Sequence, residues 1–196
     1  MRRTSTGLNV FETILARRSV RNYQGVDLDR NTVRSLLEAA VRAPTAVHEE
    51  PWAFVIVQDR QLLYRLSERA KSMFAEEVRR TGVERTGEYF ETFTSPDFNI
   101  FYDAGTLIVI CARSIGPFVA ADCWLSAENL MLAACAMGLG TCVIGSALPG
   151  LNIPEMKTEL NIPTEYSAVA PIIVGRPSGQ TPATSRRAPV VLGWHH

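Results

Sequence analysis

The spacing of apolar positions changes several times along this chain, and each change marks an element. Val10, Phe11, Ile14 and Leu15 form one stripe at helical spacing, opened by Asn9 with Glu12 three residues on, the pattern of a capping box. The stripe ends where Arg17 begins a cluster of cations. A second helix is predicted after "DLD": Val33, Leu36, Leu37, Ala40 and Val41 share one face, and Pro44 forbids continuation. Four short runs rich in β-branched residues predict strands: "WAFVIVQD", "TLIVICAR", "GLGTCVIG" after its turn, and "YSAVAPIIVG", the first two read as buried.

Between the first two strands, "QLLYRLSERAKSMFAEEVRR" predicts a helix. The following stretch, including Tyr89, Phe90, Phe93, Phe98, Phe101 and Tyr102, mixes aromatics with charges and has no clean period. It predicts a surface excursion, and in the sharper version a lid over a pocket. Asp122 to Met137 is apolar nearly all round, so one subunit has little room to bury it; a subunit interface is the preferred reading over a core. "NIPEMKTELNIP" is a short helix with prolines near both ends. Residues 176–196 are rich in Pro, Gly, Ser and Thr yet carry Val190, Val191, Leu192 and Trp194, which predicts an arm packing on a partner subunit. The 196 residues read as one domain with no repeats.

Composition narrows the function classes. Twenty basic residues balance twenty acidic ones, so no strongly basic face is required and nucleic acid is a poor partner. Cys111, Cys123, Cys135 and Cys142 are far apart, with only three histidines in the chain, which argues against a structural zinc site and for free thiols in a reducing compartment. "MRRTSTGLNVFE" lacks the apolar core of a secretory signal, and no run is long enough to cross a bilayer; a cytoplasmic protein is expected.

Three stretches carry candidate chemistry. Arg17, Arg18 and Arg21 around Ser19 read either as a solvated helix end favoured by the macrodipole or as an anion site, since guanidinium forks match phosphate oxygens. "APTAVHEEPW" is a short loop between prolines carrying Thr45, His48 and Glu50. "GLGTCVIGSALPG" fails as a dinucleotide fingerprint, because Val143 stands where the third glycine is needed and the order is helix then strand. Its glycines are expected to end the helix and to let backbone approach a flat ligand. With no nucleophile or metal motif, the chemistry of any reaction here is expected to come from a cofactor.

Taken together and in order, "RRSVRNY", "APTAVHEEPW", "DCWLSAENLMLAACAMGLGTCVIG" and the terminal "GRP…RR" with its apolar tip resemble the FMN-dependent nitroreductase family. The resemblance spans nearly the whole chain and is weakest between about residues 67 and 103. It implies an α+β fold with a mixed sheet of four to five strands, in an interlocked homodimer with FMN at the subunit interface. It implies that Arg17 and Ser19, with Arg18 beside them, hold the phosphate and ribityl chain, and that Arg21 reaches the pyrimidine edge. The partner subunit's Pro44, Thr45, Ala46 and His48 would line the flavin edge. Cys142, Val143 and Ile144 would cover one ring face, the Gly145 amide would donate to N5, and Arg186 or Arg187 would return to the phosphate. NAD(P)H would reduce the flavin and a nitroaromatic, quinone or similar acceptor would reoxidise it, in ping-pong fashion. Alternatives within the fold are reductive dehalogenation or a flavin-consuming reaction; an alternative of a different class is a protein that binds FMN, or another phosphate-bearing ligand, without turnover. Two positions depart from the family pattern: His48 replaces an asparagine and Glu50 a glutamine. Some members also contact the flavin with a Lys and an Asn before the second strand, where only Asn99 is available here.

Overall fold

The first helix starts as its sequence dictates. Asn9 Oδ1 accepts from the Glu12 amide at 3.0 Å, and Glu12 Oε2 accepts from the Asn9 amide at 2.8 Å, opening α1 (Val10–Ala16). In the computed structural model, which describes residues 8–81, 91, 93, 95–113 and 116–195, eleven further elements follow. They are α2 (Arg30–Ala40), a 3-10 turn (Ala46–His48), β1 (Trp52–Val57), α3 (Arg60–Thr81), β2 (Thr106–Arg113) and α4 (Val119–Ala136). After these come β3 (Gly140–Val143), a second 3-10 turn (Gly145–Ala147), α5 (Leu148–Leu151), α6 (Pro154–Glu159) and β4 (Tyr166–Gly175).

The fold is α+β. The four strands run in the order β1-β2-β4-β3, and every ladder is antiparallel. The parallel pairing expected of a mixed sheet is confined to a single bridge between Ser19 and Thr141. Along β2, Leu107, Val109 and Cys111 enter one core with Leu63, Leu66 and Ala70 of α3. Ile108, Ile110 and Ala112 enter a second core with α2 and α4. Burial on both faces explains why this strand reads as a continuous apolar run rather than an alternating one. β1 departs from its expected burial: it is an edge strand, and only Val57 of its six residues is buried. No helix among the described residues is long and apolar enough to cross a membrane.

α4 buries Cys123, Ala127, Leu130 and Ala134 against this protomer but exposes Trp124 and Leu125. It closes on Gly138, whose φ of +73° completes a Schellman turn: Leu139 N–H donates to Ala134 O at 2.8 Å and Gly138 N–H to Cys135 O at 3.0 Å. Gly140 serves a different purpose from the expected approach to a ligand. A Cβ there would stand 2.6 Å from Val20 Cγ2 and 2.8 Å from Val20 Cβ, so this glycine admits the chain of the Arg17–Tyr23 segment. Gly140→Ala is expected to destabilise by about 1–3 kcal/mol through overpacking, read as a lower urea midpoint with unchanged slope.

Buried thiols make stability fall in alkali. Burial pushes the Cys111 thiol up to about 12 and the Cys123 thiol to about 11, from an ordinary value of 9.0. The unfolded chain therefore releases these protons first as pH rises past 9, so their contribution is intact below that pH and is lost between 9 and the folded values. Urea unfolding at rising alkaline pH should show this decline, and Cys123→Ala should flatten it.

Candidate functional site

The cation cluster is shaped by what surrounds it. α1 ends at Ala16, and Arg17 leaves it in extended conformation (φ −57°, ψ 136°). The chain then runs along the free edge of β3, where Val20 N–H donates to Thr141 O at 2.9 Å, and later pairs Tyr23 with Pro177. Tyr23 is buried and donates its hydroxyl to Val20 O at 2.9 Å, bracing the segment from beneath. Burial raises the Tyr23 phenol above its ordinary range, so it remains a donor.

Arg17, Arg18, Ser19 and Arg186 line one cavity of about 470 Å³, together with Ile14, Leu15, Glu128 and Thr184. Arg18 also folds back on the end of α1, donating to the carbonyls of Leu15 and Arg17, so the helix-end reading describes part of its role. Arg17 stands 3.6 Å from Glu128, a half-exposed pair worth little, which an anion with better geometry can displace. Between the two arginines at the terminus, Arg186 faces this cavity; Arg187 is not among its lining residues.

A second cavity, of about 120 Å³, is lined by Arg21, Cys142, Val143, Ile144 and Gly145. Phe93, Phe98, Ile100, Tyr102 and Ser146 complete its lining. A Cβ built on Gly145 meets nothing within 4 Å, so the backbone here faces open space. Cys142, in the lining of this second cavity, is influenced by residues of the first: burial pushes its thiol up, while the Arg21 cation, a hydrogen bond with Ser19 and the Arg17 cation pull it partly back.

Several expectations are corrected here. Phe93 and Phe101 are 3% and 1% exposed and belong to the core, with the half-buried Phe98 and Tyr102 packed against it, so the described part of the aromatic stretch is not a surface excursion. Tyr89 and Phe90 lie outside the described residues. Asn99 spends both ends of its amide locally, donating to Asp103 Oδ1 and accepting from the Phe101 amide, each at 2.9 Å.

Pro44, Thr45, Ala46 and His48 line neither of these two cavities. Their loop is strained, with Val47, His48 and Glu50 at φ of 47°, 57° and 45°. Asp122, buried in the first turn of α4, anchors it by accepting from the Ala46 amide at 3.3 Å. Sequence reading missed Asp122, Glu128, Thr184 and Ser146. Asp122 and Glu128 left a signal, as the two carboxylates of a largely apolar helix.

The sequence profile of the Nitroreductase family matches residues 14–176, a span holding both cavities except for the arm residues. The chain belongs to the nitroreductase family. Among its relatives, a protein of Methanothermobacter thermautotrophicus provisionally named NADH dehydrogenase/NAD(P)H nitroreductase is 26% identical over 181 residues, 90% of this chain and 81% of that protein. The iodotyrosine deiodinase of Thermotoga neapolitana is 25% identical over 185 residues, 93% of this chain and 96% of the deiodinase. The crystal structure of a Bacteroides fragilis nitroreductase with bound FMN superposes with a TM-score of 0.81 at 26% identity, covering 96% of this chain and all of that one. These nitroreductase-family folds frame a flavoprotein oxidoreductase, and FMN is the group bound in that structural neighbour.

Proposed function

We propose that this protein is an FMN-dependent oxidoreductase that passes reducing equivalents from NAD(P)H to nitroaromatic, quinone or similar acceptors by a ping-pong mechanism. The observation that carries the reading is the pair of cavities, linked by the effect of Ser19 and Arg17 on Cys142. One presents guanidinium and hydroxyl donors for a phosphate; the other offers an apolar and aromatic wall, a cation and an open stretch of backbone for a flat ring. The donor set fits FMN, with Arg17, Ser19 and Arg186 at the phosphate, Arg18 beside them, Arg21 at the pyrimidine edge and the Gly145 amide aimed at N5. Bound there, FMN would supply hydride and electron transfer, chemistry that no side chain of the site provides. The chain's own part is to hold, orient and electrostatically bias the ring.

The working unit in this reading is a homodimer. The stripe of α1 turns outward, with Phe11 and Leu15 76% and 73% exposed, and the arm leaves Leu192 98% exposed. Such surfaces on a single chain call for a partner. Residues 176–196 would pack on the second subunit, and the partner subunit's Pro44, Thr45, Ala46 and His48 would complete the flavin edge. Initial rates with NADH and menadione both varied should give parallel double-reciprocal lines; intersecting lines would refute the mechanism. Reductive dehalogenation is the second reading, favoured by the aromatic wall and the deiodinase relative. Halide release from a halophenol under reducing conditions, without comparable quinone turnover, would decide for it.

A further inference from the structure

α3 carries a buried cation that the reading above leaves unused. Lys71 is 6% exposed, and its ammonium is 2.6 Å from Glu68 Oε1. It donates to the carbonyls of Phe98 at 2.9 Å, Ser95 at 3.0 Å and Pro96 at 3.4 Å. One turn earlier on the same face, fully buried Ser67 accepts from the Ile100 amide at 3.1 Å. A methionine or leucine would fill this space without the cost of burying a charge. What the polar clasp adds is direction: it fixes where the 95–100 turn sits on α3.

That turn leads into the second cavity. Phe98 meets Tyr102 edge to face with ring centres 5.4 Å apart, and the Arg21 guanidinium lies over the Tyr102 ring at 6.0 Å. Tyr102 and Asp103 adopt left-handed conformations, φ 51° and 56°, which the Asn99 turn holds from the other side. Clasp, ring pair and cation thus form one contiguous series of contacts.

We propose that Lys71 is a positioning residue for the second cavity, acting through the Phe98–Tyr102 wall to seat Arg21. The role of that seat in flavin binding rests on the function proposed above; the seating itself does not. The Arg21 Nε–H resonance in a ¹H–¹⁵N spectrum reports it directly, because the Tyr102 ring current shifts it. Lys71→Met is expected to move that resonance toward the random-coil position, and Lys71→Arg to restore it. Leu63→Ala, a buried change on the same helix, should lower Tm while leaving the resonance in place. In a Tyr102→Ala background, Lys71→Met should have no further effect on it. Should Lys71→Met fail to fold, Ser67→Ala removes the Ile100 contact without a charge and should give a smaller shift in the same direction.

FMN titration of the same variants is the second readout, with about tenfold weaker binding expected for Lys71→Met and less than about threefold change for Leu63→Ala. An Arg21 resonance unchanged in Lys71→Met, or moved equally by Leu63→Ala, overturns the proposal. Wild-type protein that takes up no FMN, with Arg21 responding as described, would overturn the flavin reading alone.

Discussion

Replacing Arg17 and Ser19 together by alanine is expected to weaken FMN binding on the order of 100-fold while leaving the protein folded. A charge-assisted hydrogen bond contributes roughly 1.5–3 kcal/mol and a neutral one about 0.5–1.5 kcal/mol, and each 1.4 kcal/mol is a factor of about ten. Neither side chain supports the fold to a comparable degree. Arg17 has a half-exposed partner in Glu128 at 3.6 Å, and Ser19 is exposed. Removing such contacts costs roughly 1 kcal/mol or less. Flavin fluorescence titration measures the affinity and urea unfolding the stability. Affinity within about threefold of wild type would remove these residues from the phosphate site.

The second large effect concerns assembly. Phe11→Asp with Leu15→Asp is expected to convert the proposed dimer to monomers and to abolish FMN retention in the same step. Both positions are exposed in the protomer, 76% and 73%, so the isolated fold loses little. In a dimer they would be covered, and an uncompensated buried charge costs about 3–5 kcal/mol, enough to raise the dissociation constant by roughly 10²–10³ or more. Sedimentation velocity reads the mass and a desalting column the bound flavin. A double variant that sediments as the wild type would place the interface elsewhere. A monomer that keeps its flavin would show that one chain suffices for the site.

Local rules were legible where a local interaction enforces them. The Asn9–Glu12 box opens α1 and Gly138 ends α4 because each satisfies backbone groups within a few residues. The β-rich runs became strands, but their antiparallel pairing and the edge position of β1 depend on contacts between distant segments, which periodicity does not encode. Gly140 was read as facing a ligand, and its neighbour proved to be Val20, some 120 residues away in sequence. The grouping of Arg17 and Ser19 with Arg186, and of Arg21 with Gly145, was implied by the family resemblance and not by spacing; its physical basis is β3 lying beside the Arg17–Tyr23 segment. Lys71 could have been noticed: with Leu63, Leu66, Ser67 and Ala70 it falls on the buried stripe of α3, where a cation needs a reason. The loop of His48 was recognisable as a connection, whereas its left-handed backbone and its anchor at Asp122 belong to tertiary packing.

The most direct measurement is the visible absorption spectrum of the purified protein after loading with FMN and desalting, followed by anaerobic addition of NADH or NADPH. A retained flavin band that bleaches with either nucleotide and returns on adding a quinone is the predicted result. A desalted protein without a flavin band, or a band indifferent to both nucleotides, would contradict the account.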